Sequence, residues 1–115
     1  MRNVAGYQVQ VERSKGNGPI EVTIAPGTFW VLRELRLHLD AAGGTSEDFN
    51  VSVDSEVDEF FDTLIVSEDM LLISDFVYIP DSLCSHSLGE GDKLLFQYAN
   101  TNHRKWGLEV IYSLE

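Results

Sequence analysis

A chain of 115 residues with 43% hydrophobic and 23% charged residues has the length and composition of one globular domain rather than a disordered segment or two units. Nineteen acids against eight bases leave a net charge of −11, with only Arg104 and Lys105 adjacent among the bases. Binding a nucleic-acid backbone or an anionic membrane needs clustered Lys and Arg, so both partner classes are excluded as expectations. The longest apolar runs, such as Met70-Leu71-Leu72-Ile73, are too short for a membrane helix, and Met1 to Gly6 lacks the apolar core of a secretory signal. The single cysteine, Cys84, cannot form an internal disulfide, which suits a protein made in a reducing cytoplasm.

Alternation with period two dominates the chain and predicts strands. Tyr7, Val9 and Val11 alternate with Gln8, Gln10 and Glu12, and Ser14 to Pro19 reads as a loop rich in turn formers. Ile20, Val22 and Ile24 form the apolar side of the next strand, which Ala25-Pro26-Gly27 ends. Thr28 to Asp40 is the longest predicted strand. Leu35, Leu37 and Leu39 face one way, but Phe29-Trp30-Val31-Leu32 is apolar on both faces, which predicts a bulge or a doubly covered stretch near Arg33. Ala41 to Glu47 is a connection, and Phe49, Val51 and Val53 resume alternation.

Val57, Phe60, Phe61, Leu64 and Ile65 fall at helical spacing, yet Phe61 to Val66 is rich in strand formers. The favoured reading is a turn, or one helical turn, followed by a strand from about Phe61 to Val66. Ser74 to Ile79 is a further strand, stopped by Pro80-Asp81. Leu88 to Asp92 is a tight turn into Lys93 to Tyr98, and Asn100 to His103 is a hairpin loop before a last strand, Trp106 to Leu114. About eight strands without βαβ alternation predict an all-β fold: an antiparallel β-sandwich of jelly-roll type, over residues 1–115, with 1–6 fit to serve as an N-terminal arm.

No chemical signature accompanies the strands. Asp54-Ser55-Glu56-Val57-Asp58-Glu59 places carboxylates at alternate positions, but an EF-hand register would put Glu59 at the glycine position and Ile65 at the bidentate acid, so a solvated loop is preferred to a calcium site. His38, His86 and His103 show no metal-ligand spacing, and Cys84 beside His86 lacks an orienting group or oxyanion site. No catalytic residue, cofactor or metal is therefore assigned. Trp30, Trp106, Tyr98 and Tyr112 sit in or beside apolar strands, where core packing is the first reading and an outward anchor the second. Of Phe60-Phe61, one ring is expected in the core and the other outside. The residues that stand as partner contacts are Phe60, Trp30, Trp106, Arg104 and His103.

Three passages carry a resemblance: Leu35-Arg36-Leu37-His38-Leu39 running into Thr45-Ser46-Glu47-Asp48-Phe49; Phe61-Asp62-Thr63-Leu64; and Leu94 to Asn100 closing with Trp106-Gly107-Leu108-Glu109-Val110. In these the chain resembles small β-sandwich virion accessory proteins of tailed bacteriophages, over most of its length and in strand-and-turn pattern rather than chemistry. The run Leu83 to Ser87 departs from that pattern. The resemblance implies a capsid decoration or cement protein, or a spike or fibre base, on the virion surface. It implies the major capsid protein or a spike component as partner, a homo-oligomer with a trimer as one form, and host glycan as a further ligand to consider. The rival reading is a carbohydrate-binding jelly-roll module using exposed Trp or Tyr with Asn100 to His103. A small metal-dependent enzyme is the third.

Overall fold

Alternating side chains need two layers to bury them, and the chain supplies both by rolling up an antiparallel ribbon. The computed structural model describes residues 8–80 and 86–114. Its strands are β1 (Gln8–Gly16), β2 (Ile20–Ile24), β3 (Trp30–Leu39), β4 (Asp48–Asp54), β5 (Thr63–Asp69), β6 (Asp75–Tyr78), β7 (His86–Leu88), β8 (Lys93–Tyr98) and β9 (Trp106–Leu114). A single 3-10 turn, Glu59–Phe61, precedes β5. One sheet has the order β1-β9-β3-β6, with β7 also on β3; the other is β2-β8-β4-β5. The antiparallel pairs β4–β5, β3–β6, β2–β8 and β1–β9 nest around the β4–β5 connection. A ribbon wound in that way is the jelly roll, and the fold is an antiparallel β-sandwich.

Nine strands stand where about eight are expected. The addition is β7, which pairs with Trp30–Leu32 while β6 pairs with Leu35–His38, so the two share one flank of β3 end to end. Between those stretches the β3–β9 register slips at Leu32/Glu34. This is the bulge predicted near Arg33, and it lets Val31 be buried on the sheet face opposite Trp30 and Leu32. Strand β1 runs on to Gly16, beyond the predicted loop start at Ser14, because the whole of Gln8–Gly16 finds ladder partners on β9. Gly27 ends the turn after β2 with φ of 81°, a conformation glycine adopts without steric cost.

The inward sides of the two sheets close over one apolar cluster, with Ile20, Trp30, Leu35, Phe49, Phe96 and Val110 fully buried. Trp30 meets Tyr112 edge to face at 5.1 Å, and Phe49 meets Phe76 at 6.1 Å. Burying side chains of this size stabilises by about 1.5–3 kcal/mol each, so the core needs no cross-link.

Candidate interaction surface

The register dictates what each face presents. On β9, Trp106, Leu108, Val110 and Tyr112 point inward, and their partners on β1 are Gly16, Ser14, Glu12 and Gln10. The polar side of β1 therefore faces in, along the edge of the sandwich, and Tyr112 Oη donates to Glu12 Oε2 at 3.0 Å. Burial and that hydrogen bond to a carboxylate push the Tyr112 hydroxyl up to about 12. The apolar side of β1 points outward. Val9 and Val11, beside Ile111, form an apolar area at the β1 edge of the outer face, and Val77 is exposed separately on β6 at the other edge.

The other half of that face is charged. Its rows run Arg13–Glu109–Arg36–Val77 and Lys15–Gly107–His38–Asp75 across β1, β9, β3 and β6. Glu109 joins two guanidiniums, accepting from Arg13 Nε at 2.6 Å and Arg36 Nη1 at 2.8 Å, while Arg36 Nε donates to Glu34 at 2.5 Å. The Arg13 hydrogen bond is the main reason Glu109 sits below the usual carboxylate range. His38 Nδ1 lies 2.5 Å from Asp75 Oδ1, and that hydrogen bond holds the Asp75 carboxyl low. These pairs are solvent-exposed and add little stability. What they do is hold side chains around a depression of about 600 Å³ whose floor is Gly107, where an added Cβ would meet nothing within 4 Å. Lys15 stands on its rim without a partner among the described residues.

A second feature projects from the opposite end of the sandwich. Between β4 and β5, Val57, Phe60 and Phe61 are 78%, 87% and 62% exposed, among the carboxylates of Asp54, Glu56, Asp58, Glu59 and Asp62. The loop is ordered by two of its own acids and by Asp92 of the turn between β7 and β8. Asp58 caps the 3-10 turn by accepting from Phe60 N at 2.9 Å, Asp62 accepts from Ser55 N at 2.7 Å, and Asp92 accepts from Glu56 N at 3.1 Å. This gives a physical reason for the alternating carboxylates other than calcium. Among the described residues no group of three or more His, Cys, Asp or Glu side chains is placed to hold a metal ion.

The predicted contact residues separate. Trp30 is wholly buried and Trp106 nearly so, so both are corrected to core residues. Trp106 lies on the inward side of β9, with Nε1 donating to Gly18 O at 2.9 Å. Phe60 is outside as expected, but Phe61 is outside as well: the 3-10 turn carries both rings away before β5 begins. His103 is exposed in its loop with φ of 52°. Arg104 is half-buried, and its Nε donates to Ala42 O at 2.9 Å, tying two loops together. Asn100, central to the sugar-binding alternative, is buried: its Nδ2 donates to Gly18 O and Arg104 O, and its Oδ1 accepts from Arg104 N, each at 2.9 Å. Those roles leave the amide nothing for a sugar, and Tyr98 and Tyr112 are buried too. Cys84 and the 1–6 arm lie outside the described residues, as does the His86 side chain.

The charged depression was not anticipated from sequence. Its residues come from four strands, and the signal that could have found it is Arg13, Lys15 and Arg36 on the same side of period-two strands in an acidic chain.

No family model matches the chain, and no curated protein matches it in sequence. Among solved structures, a chain from the X-ray structure of tomato aspermy virus aligns over 97% of this chain and 80% of its own, at 10% identity and a TM-score of 0.36. A likeness that remote assigns neither activity nor partner.

Proposed function

We propose that the protein is a non-enzymatic structural component of a virion, a capsid decoration or cement protein or a spike or fibre base, acting by protein contact on the particle surface. The observation that carries this reading is the β1 edge of the outer face of the β1-β9-β3-β6 sheet, where Val9 is 57% and Val11 44% exposed beside a half-buried Ile111. Exposed apolar side chains that adjoin along a solvent-facing sheet edge suit a surface that another protein covers. The jelly roll supports the reading as an architecture shared by viral capsid domains, lectins and cupins, although fold alone assigns no function. The partner in this reading is the major capsid protein or a spike component, and the site of action is the virion surface after synthesis in the host cytoplasm. Edge strand β1 adds a second means of contact, since an edge can extend a neighbour's sheet by main-chain hydrogen bonds.

The experiment is to purify particles and measure whether the chain co-sediments at high copy. A Val9→Asp/Val11→Asp variant that folds normally is expected to be depleted from particles about tenfold or more, the scale of losing a contact near 1.4 kcal/mol. Particles lacking the chain would end the reading.

A further inference from the structure

The structure holds a projection and a depression with complementary chemistry, and they cannot meet within one chain. The projection is the loop bearing Phe60 and Phe61, with five carboxylates between Asp54 and Asp62 and no base among them. It lies at the end of the sandwich where β7 pairs with Trp30–Leu32, because Glu56 N donates to Asp92 in the turn between β7 and β8. The depression lies toward the other end, on the row Lys15–Gly107–His38–Asp75 beside Leu39 and Trp106. We propose that the acidic aromatic loop of one copy docks into the Lys15–Arg36–Gly107 depression of a second copy, so that this chain assembles with itself.

The match is in size and in donors facing acceptors. A cavity of about 150 Å³ holds one benzene ring. The depression, at about 600 Å³ with Val77 on its wall, has room for both phenylalanine rings. Three of the chain's eight bases, Arg13, Lys15 and Arg36, line it. Glu109 and Asp75 also line it, and Glu34 hydrogen-bonds Arg36, so the patch is near neutral within a chain of net charge −11. A loop of five carboxylates is repelled by most of such a surface and least by this patch. Donors remain for it: among the described residues Lys15 has no partner and Arg13 uses only its Nε. A guanidinium with its Nη groups open presents the planar fork that carboxylates accept.

A contact between two different patches of one chain closes either as a two-fold pair, each loop filling the other copy's depression, or as a ring. The inference deepens the assembly reading above by naming a second copy as one partner.

Sedimentation velocity of the full chain gives the stoichiometry, and zero-length carbodiimide coupling gives the contact. Coupling is done on an equal mixture of nitrogen-14 and nitrogen-15 protein. The expected result is a concentration-dependent oligomer with mixed-isotope cross-links from Lys15 to Glu56, Asp58 or Glu59. Phe60→Ala/Phe61→Ala and Lys15→Glu each raise the dissociation constant about tenfold or more while circular dichroism stays unchanged. The cross-link pattern on the unaltered protein tests the same contact without any substitution. A monomer at every concentration up to about 1 mM, or an oligomer that lacks those cross-links, overturns the inference. Co-sedimentation with virions without self-association would remove this contact and leave the particle reading intact.

Discussion

Asn100→Ala is expected to cost about 3–4 kcal/mol, most of it from polar groups left without partners. The side chain is 1% exposed and holds the Asn17–Gly18 turn to the β8–β9 loop. Truncation leaves Arg104 N and Arg104 O without their partners, at about 1–1.5 kcal/mol each. Gly18 O is affected less, because Trp106 Nε1 also donates to it. Asn100 has φ of 51°, a left-handed conformation that asparagine tolerates and alanine adopts at a cost of about 1 kcal/mol. Against a total stability of about 5–15 kcal/mol the loss is large, and it lowers the melting temperature by about 10–20 °C. Urea denaturation at constant m-value reads it directly. Asn100→Gly removes the hydrogen bonds but tolerates the φ, so a similar cost there confirms that lost bonding dominates. A loss under about 1 kcal/mol for both variants would refute the claim that this amide holds the loops together.

Gly43 presents a steric test, since an added Cβ would lie 2.3 Å from the Met70 carbonyl oxygen in the β5–β6 connection. Gly43→Ala should destabilise by about 1–3 kcal/mol in the same assay, whereas Gly107→Ala, which meets nothing within 4 Å, should fold as well as the parent. Tyr112, with its hydroxyl pushed up to about 12, remains protonated in the fold after exposed tyrosines have ionised. A raised folded value means stability is complete below the unfolded value near 10 and declines as pH rises from there toward 12. Burial raises Tyr98 as well, so tyrosinate absorbance should show two late-titrating rings, the later of which disappears in Tyr112→Phe. Asp75 has the opposite sign: its lowered value favours the fold above the ordinary value of 3.8, and the contribution fades as pH falls through the lowered one. An NMR titration of its carboxyl carbon should move upward in His38→Ala. An unchanged titration there would remove His38 as the cause.

Much of the sandwich is readable because period-two alternation on an interior strand carries its own orientation. Leu35, Leu37 and Leu39 have an unambiguous core side, and Phe29-Trp30-Val31-Leu32 announces the bulge at Arg33 by having too many apolar neighbours for one face. The β5 region was harder, because Val57, Phe60, Phe61 and Leu64 fit a helical stripe as well as a turn and strand. In the fold those four are exposed, and of the stripe only Ile65, on β5, packs against the core. Strand β7 left no trace in the pattern: three residues are too few to establish alternation, and its place depends on which flank of β3 lies vacant beyond β6. The charged depression depends on four strands in register, which is tertiary information by definition.

The orientation of β1 links the fold to its use. Alternation alone gives no reason for Val9 and Val11 to face solvent. The cause is at the other end of the strand, where Gly16 stands opposite Trp106 and a Cβ there would lie 3.1 Å from the indole. A side chain there would press on the ring, so glycine favours the register with residue 16 inward. The pleat then turns Ser14, Glu12 and Gln10 inward and the valines outward. Folding leaves most of Val9 and much of Val11 in water, at 57% and 44% exposure. Covering a valine fully is worth about 1.5 kcal/mol or more, so this edge retains hydrophobic free energy that the monomer does not use. A net charge of −11 keeps such a surface from associating at random. Together these make the edge available to a partner that supplies both apolar cover and compatible charge.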